Sequence, residues 1–155
     1  MKTLTIICLF MVTFAAASAQ QGGKEATVTQ RGNGTFQVRV APLAPYNQED
    51  KTLGRFSIDK EFHGDLEATS KGEMLSAGNP STSGGYVAIE KVTGKLNGRS
   101  GSFALQHSAT MENGHSHLNV FVIPGSGSGE LTGISGTMDI TIEAGKHSYV
   151  FTYTL

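Results

Sequence analysis

Tyr86-Val87-Ala88-Ile89-Glu90-Lys91-Val92-Thr93-Gly94-Lys95-Leu96 runs into Asn97-Gly98 and returns through Arg99-Ser100-Gly101-Ser102-Phe103-Ala104-Leu105-Gln106-His107. On the outgoing arm Tyr86, Ala88, Glu90, Val92 and Leu96 fall on one face, and Phe103, Leu105 and His107 share a face on the return. Alternation of this kind is the signature of a strand with one buried side. Asn-Gly between two such arms suits a type I′ turn, whose two central residues both need positive φ. That turn sets the register. Leu96 falls opposite Arg99 and Glu90 opposite Leu105, with Ala104 and Gln106 beside it. A slip at Gly101 would bring Gln106 next to Glu90.

The same rhythm extends in both directions. Strands are predicted at Thr35–Ala41, Gly54–Phe62, Asp65–Ser76, Tyr86–Leu96, Ser102–Met111, Ser116–Ile123, Gly136–Glu143 and Ser148–Leu155. Phe56, Ile58 and Phe62 share a face, as do Leu118, Val120 and Val122, then Met138, Ile140 and Ile142, then Tyr149, Phe151, Tyr153 and Leu155. Asn113-Gly114, His63-Gly64 and Ala144-Gly145 mark further tight reversals, while residues 79–85 and 124–129 form longer Gly/Ser/Pro-rich loops. Eight strands joined by short hairpins predict an all-β fold, an eight-stranded antiparallel β-barrel. Closure removes the exposed edges that an open sheet would carry. A β-sandwich is the alternative. A short helix over Pro45–Leu53 and a short strand at Ala26–Gln30 are further expectations.

The N-terminus has the three parts of an export signal: Lys2, an apolar run from Leu4 to Ala16, and Ala17-Ser18-Ala19 as the cleavage site. The run is shorter than the ~20 residues of a spanning helix. The predicted organisation is therefore a signal peptide at 1–19, a flexible leader at 20–34 and a barrel domain at 35–155, with a secreted or periplasmic destination. The single cysteine, Cys8, falls in the signal peptide, which removes disulfides and thiolate–metal chemistry from the mature chain. A formal net charge of −1 among 155 residues gives no field to attract nucleic acid or a membrane surface. No nucleic acid and no membrane partner after signal cleavage are expected, and a homo-oligomer stays open.

The distinctive segments are Phe62-His63-Gly64-Asp65-Leu66, Gly85 to Glu90, Gly94 to Phe103, Leu105-Gln106-His107, Pro124-Gly125-Ser126-Gly127-Ser128-Gly129-Glu130-Leu131 and Tyr149 to Leu155. Together they resemble the mostly bacterial domain-of-unknown-function family 3224. The resemblance implies a barrel similar to that of the allene oxide cyclases, of calycin-like type. It implies no activity, although the analogy favours a lipid-like or polyketide-like ligand. Members of the family usually look cytoplasmic, so the export signal departs from the pattern.

Glu90 is the leading candidate for chemistry. A carboxylate on an apolar strand face should have a raised pKa and act as a general acid or base; the structural alternative pairs it with Arg99 at the barrel rim. Gln106 is the second candidate, a donor to a carbonyl or epoxide oxygen if it reaches Glu90. Tyr86, Phe103, His107, Tyr149, Phe151 and Tyr153 are expected to line a ligand pocket. Glu61, His63 and Asp65, and separately His115 and His117, are too few or too scattered for a metal, and no metal or other cofactor is expected. Residues 125–129 lack the Lys-Ser/Thr and helix of a phosphate loop. Three functions stay open: a barrel that binds a small hydrophobic molecule, a cofactor-independent isomerase or cyclase using Glu90 and Gln106, and a structural or protein-interaction barrel with a filled core.

Overall fold

Alternating side chains and two-residue turns generate nine strands: β1 (Gln30–Pro42), β2 (Leu53–Gly64), β3 (Leu66–Asn79), β4 (Ser83–Leu96), β5 (Arg99–Glu112), β6 (His115–Val122), β7 (Ser128–Gly129), β8 (Ser135–Glu143) and β9 (Lys146–Thr154). The computed structural model describes residues 28–46, 49, 52–79 and 82–155. The predicted signal peptide and the start of the leader lie outside them. The described residues of Pro45–Leu53 hold no helix. β1 begins at Gln30, so the last residues of the predicted leader belong to the sheet. They pair with β9, Gln30 opposite Tyr153 and Gly34 opposite Tyr149, while the rest of β1 pairs with β2. Thr, Gly and Asn at 29–35 masked this strand, since two of its inward positions are Gly32 and Gly34.

The eight long strands close in the order β1-β2-β3-β4-β5-β6-β8-β9, every neighbour antiparallel, and β9 returns to β1. The barrel is therefore the architecture, and the sandwich alternative falls. β7 adds two residues to β5, at Gly101 and Ser102, where β6 has already left. The turns are of the expected kind. Asn97 and Gly98 have φ of 47° and 82°, Asn113 and Gly114 50° and 79°, and Ala144 and Gly145 48° and 78°. The β4–β5 register holds without a slip: Leu96 faces Arg99 and Glu90 faces Leu105.

The two ends of the barrel differ. At one end Leu66, Leu96, Phe103, Phe151 and Tyr153 are buried, with Phe151 stacked between Phe103 (centroids 5.5 Å) and Tyr153 (5.2 Å). The loop after β6 folds across this end and inserts Leu131 and Ile134, each at most 2% exposed. Burying side chains of this size contributes about 1.5–3 kcal/mol apiece. Tyr149 Oη accepts the Leu66 N–H at 2.9 Å, and Tyr153 Oη accepts from Asn97 Nδ2 at 2.8 Å, so both phenols have partners in the packed end. The opposite end, bounded by the β1–β2, β3–β4, β5–β6 and β8–β9 connections, is open among the described residues.

Candidate functional site

Between the packed end and the open end the barrel interior carries a layer of polar side chains. Period two on β2 places Lys60 inward between Ile58 and Phe62, and on β3 it places Ser70 inward between Ala68 and Gly72. Glu90 comes from β4 and His107 from β5. All four are buried, Glu90 with no exposure at all.

The carboxylate of Glu90 is the hub. Its Oε1 accepts from Lys60 Nζ at 2.6 Å and from His107 Nε2 at 2.8 Å, and its Oε2 accepts from Ser70 Oγ at 2.5 Å. Lys60 stands two strands away, so its stem crosses β3 to reach Glu90. Gly72, directly opposite Glu90 on β3, makes room: a Cβ there would lie 2.6 Å from the Glu90 Cβ. The Lys60 ammonium also lies 5.1 Å from the centroid of Phe36 and 5.7 Å from that of Phe62, close enough for cation–π attraction. A buried charge is tolerated only when paired and hydrogen-bonded, and this one is fully engaged.

These contacts reverse the expectation for Glu90. Burial pushes its carboxyl up, but the His107 hydrogen bond and the nearby Lys60 charge outweigh burial and hold it at about 2. Glu90 is ionised at neutral pH and fixes its neighbours, and its partner is Lys60 and not Arg99, which sits exposed beside the β4–β5 turn. Tyr86 shares this face of β4. Burial raises its phenol above 10, and the Glu90 charge adds to the effect, so it stays a donor.

Above the polar layer lie two cavities that share Met74 and Tyr86. The deeper one, about 190 Å³, reaches Lys60, His107 and His147 among Phe36, Ile58, Leu118 and Ile140. The outer one, about 330 Å³, opens at the barrel mouth among Phe56, Met74, Tyr86, Ala109 and Met111. With Nε2 of His107 engaged by Glu90, Nδ1 is the ring nitrogen left for a molecule in the deeper cavity. The polar side chains that line the deeper cavity come from four strands: Lys60, Tyr86, His107 and His147.

The predicted residues divide accordingly. Glu90, His107 and Tyr86 come together. Gln106 does not: it pairs with Ile89 on the outer face, beside Leu75, Val87 and the Arg55–Glu73 ion pair, because the register never slips at Gly101. Phe103, Tyr149, Phe151 and Tyr153 fill the packed end and line neither cavity. Lys60 and Ser70 are additional members. Their signal was present in the sequence, since a lysine and a serine interrupt inward faces otherwise made of apolar or small residues. His63 is an exposed rim residue whose Nδ1 lies 3.4 Å from Glu67, and His115 and His117 are exposed on β6. Among the described residues no three His, Cys, Asp or Glu side chains gather as a metal site.

Comparison with known proteins agrees with the barrel. The family described as "Protein of unknown function (DUF3224)" matches residues 32–153. Among solved structures the chain is similar to a protein of unknown function from the DUF3224 family of Shewanella oneidensis MR-1. The two are 48% identical with a TM-score of 0.75, over 81% of this chain and 97% of that one. No curated protein matches the chain.

Proposed function

The chain belongs to the DUF3224 family, and from its interior we propose that the barrel binds a small hydrophobic molecule through its open end. The observation that carries this reading is the half-filled core. Aromatic and aliphatic side chains pack one half completely, whereas the other half leaves about 330 Å³ and about 190 Å³ of largely apolar space in line with the mouth. Eight-stranded barrels are just wide enough to be filled by side chains or to hold one small ligand. Apolar walls with a few convergent polar groups are the usual make-up of such a pocket.

Native mass spectrometry of protein purified from its own source tests the proposal. A co-purifying small apolar molecule that is lost from Ala109→Phe, a substitution that fills the outer cavity, supports it. Retention of the same molecule by a folded Ala109→Phe protein refutes it.

A cofactor-independent isomerase or cyclase is the second reading. Its support is the Glu90–His107 bond, which orients an imidazole toward the cavity beside the Tyr86 phenol. On this geometry His107 and Tyr86, not Glu90 and Gln106, would meet the substrate.

A further inference from the structure

No carboxylate lines either cavity among the described residues. The ionisable side chains at the deeper cavity are Lys60 from β2, Tyr86 from β4, His107 from β5 and His147 from β9, and those lining the outer one add no acid or base besides Tyr86. The carboxylate bonded to Lys60 and His107 is that of Glu90, which also accepts from Ser70. The His147 ring packs on Phe36 at 5.0 Å. A molecule entering from the mouth thus meets apolar walls first and then a group of nitrogen bases and one phenolic donor.

Resting on the reading that the barrel binds a small hydrophobic molecule, we infer that this molecule is an anionic amphiphile, with a carboxylate or similar acid head at Lys60, His107 and Tyr86 and an apolar tail directed to the mouth. The chemistry is complementary in both parts. Hydrogen bonds from the Lys60 ammonium and the Tyr86 phenol to a carboxylate head include the strong, charge-assisted kind. A cationic head would face Lys60 at close range and leave its own charge unpaired. Met74, shared by both cavities, is an adaptable wall for a flexible tail.

Isothermal titration with three probes of equal tail length separates the possibilities: decanoate, 1-decanol and decyltrimethylammonium. The expected order is decanoate tightest, at least about tenfold over 1-decanol, with the ammonium compound weakest. His107→Gln keeps a donor for Glu90. It should weaken decanoate about fivefold while leaving 1-decanol nearly unchanged. If His107→Gln does not fold, His147→Gln supplies the same comparison from the other side of the cavity. Equal or tighter binding of 1-decanol overturns the acid head but leaves hydrophobic binding standing. Failure of all three probes to bind overturns both.

Discussion

Lys60 Nζ reaches Glu90 Oε1 at 2.6 Å across an intervening strand, and neither side chain is more than 8% exposed. The pair sits where the packed half of the barrel gives way to the open half. It therefore acts twice: as a satisfied polar floor beneath the cavities, and as the device that keeps His107 oriented.

Removing either partner should be costly. Lys60→Met strands a carboxylate, and Glu90→Gln leaves an ammonium without a counter-charge. Each is expected to destabilise the fold by about 3–5 kcal/mol. The double variant Lys60→Met/Glu90→Gln should lose clearly less than the sum, because the two changes remove one shared interaction. Urea denaturation of the three proteins gives the coupling; strictly additive losses would mean that the two side chains do not depend on one another.

The same carboxylate sets an acid limit. Glu90 is held at about 2 in the fold against an ordinary 4.5. A depressed carboxyl stabilises the folded state above its unfolded value and loses that contribution as pH falls toward its folded value. Stability should therefore decline between pH 4.5 and 2, with about 3 kcal/mol traceable to Glu90. Urea midpoints measured across this range should fall steeply for the native protein and much less for Glu90→Gln. Parallel slopes would assign the acid sensitivity to other groups.

Gly72 is fixed by Glu90 and not by any turn. A methyl group at this position would press on the Glu90 Cβ at 2.6 Å, and the backbone of β4 cannot yield without breaking the sheet. Gly72→Ala is predicted to destabilise by about 1–3 kcal/mol and to disturb the Lys60–Glu90–His107 group. The His107 ring resonances in an NMR spectrum should shift accordingly. A wild-type spectrum and midpoint would show that the strands spread without penalty.

Ala144 is the weak turn residue. It has φ of 48°, a left-handed conformation that suits Asn or Gly far better than Ala, whereas the two other hairpins of this kind carry Asn97 and Asn113 there. Ala144→Asn should raise stability by about 0.5–1 kcal/mol without touching the site. Thermal unfolding checks this, and an unchanged midpoint would count against the strain argument.

Local pattern was enough to specify the barrel. Alternation in each strand and Asn-Gly at two turns are short-range features, and the register they imply put Glu90 opposite Leu105 correctly. The same count left Gln106 beside Leu105 and open to a slip at Gly101, and only the pairing of β5 with β4 and then β7 showed that no slip occurs and that Gln106 lies opposite Ile89. The environment of Glu90 was beyond reach, because the sign of its pKa shift depends on Lys60, which lies 30 residues earlier and two strands away. Which aromatics fill the core and which line the cavity was likewise undetermined, since alternation tells inside from outside but not one end of a barrel from the other. That distinction came from the loop carrying Leu131 and Ile134 across one mouth. Periodicity is a property of neighbours along the chain, whereas charge compensation and cavity position are properties of groups brought together only when the sheet closes.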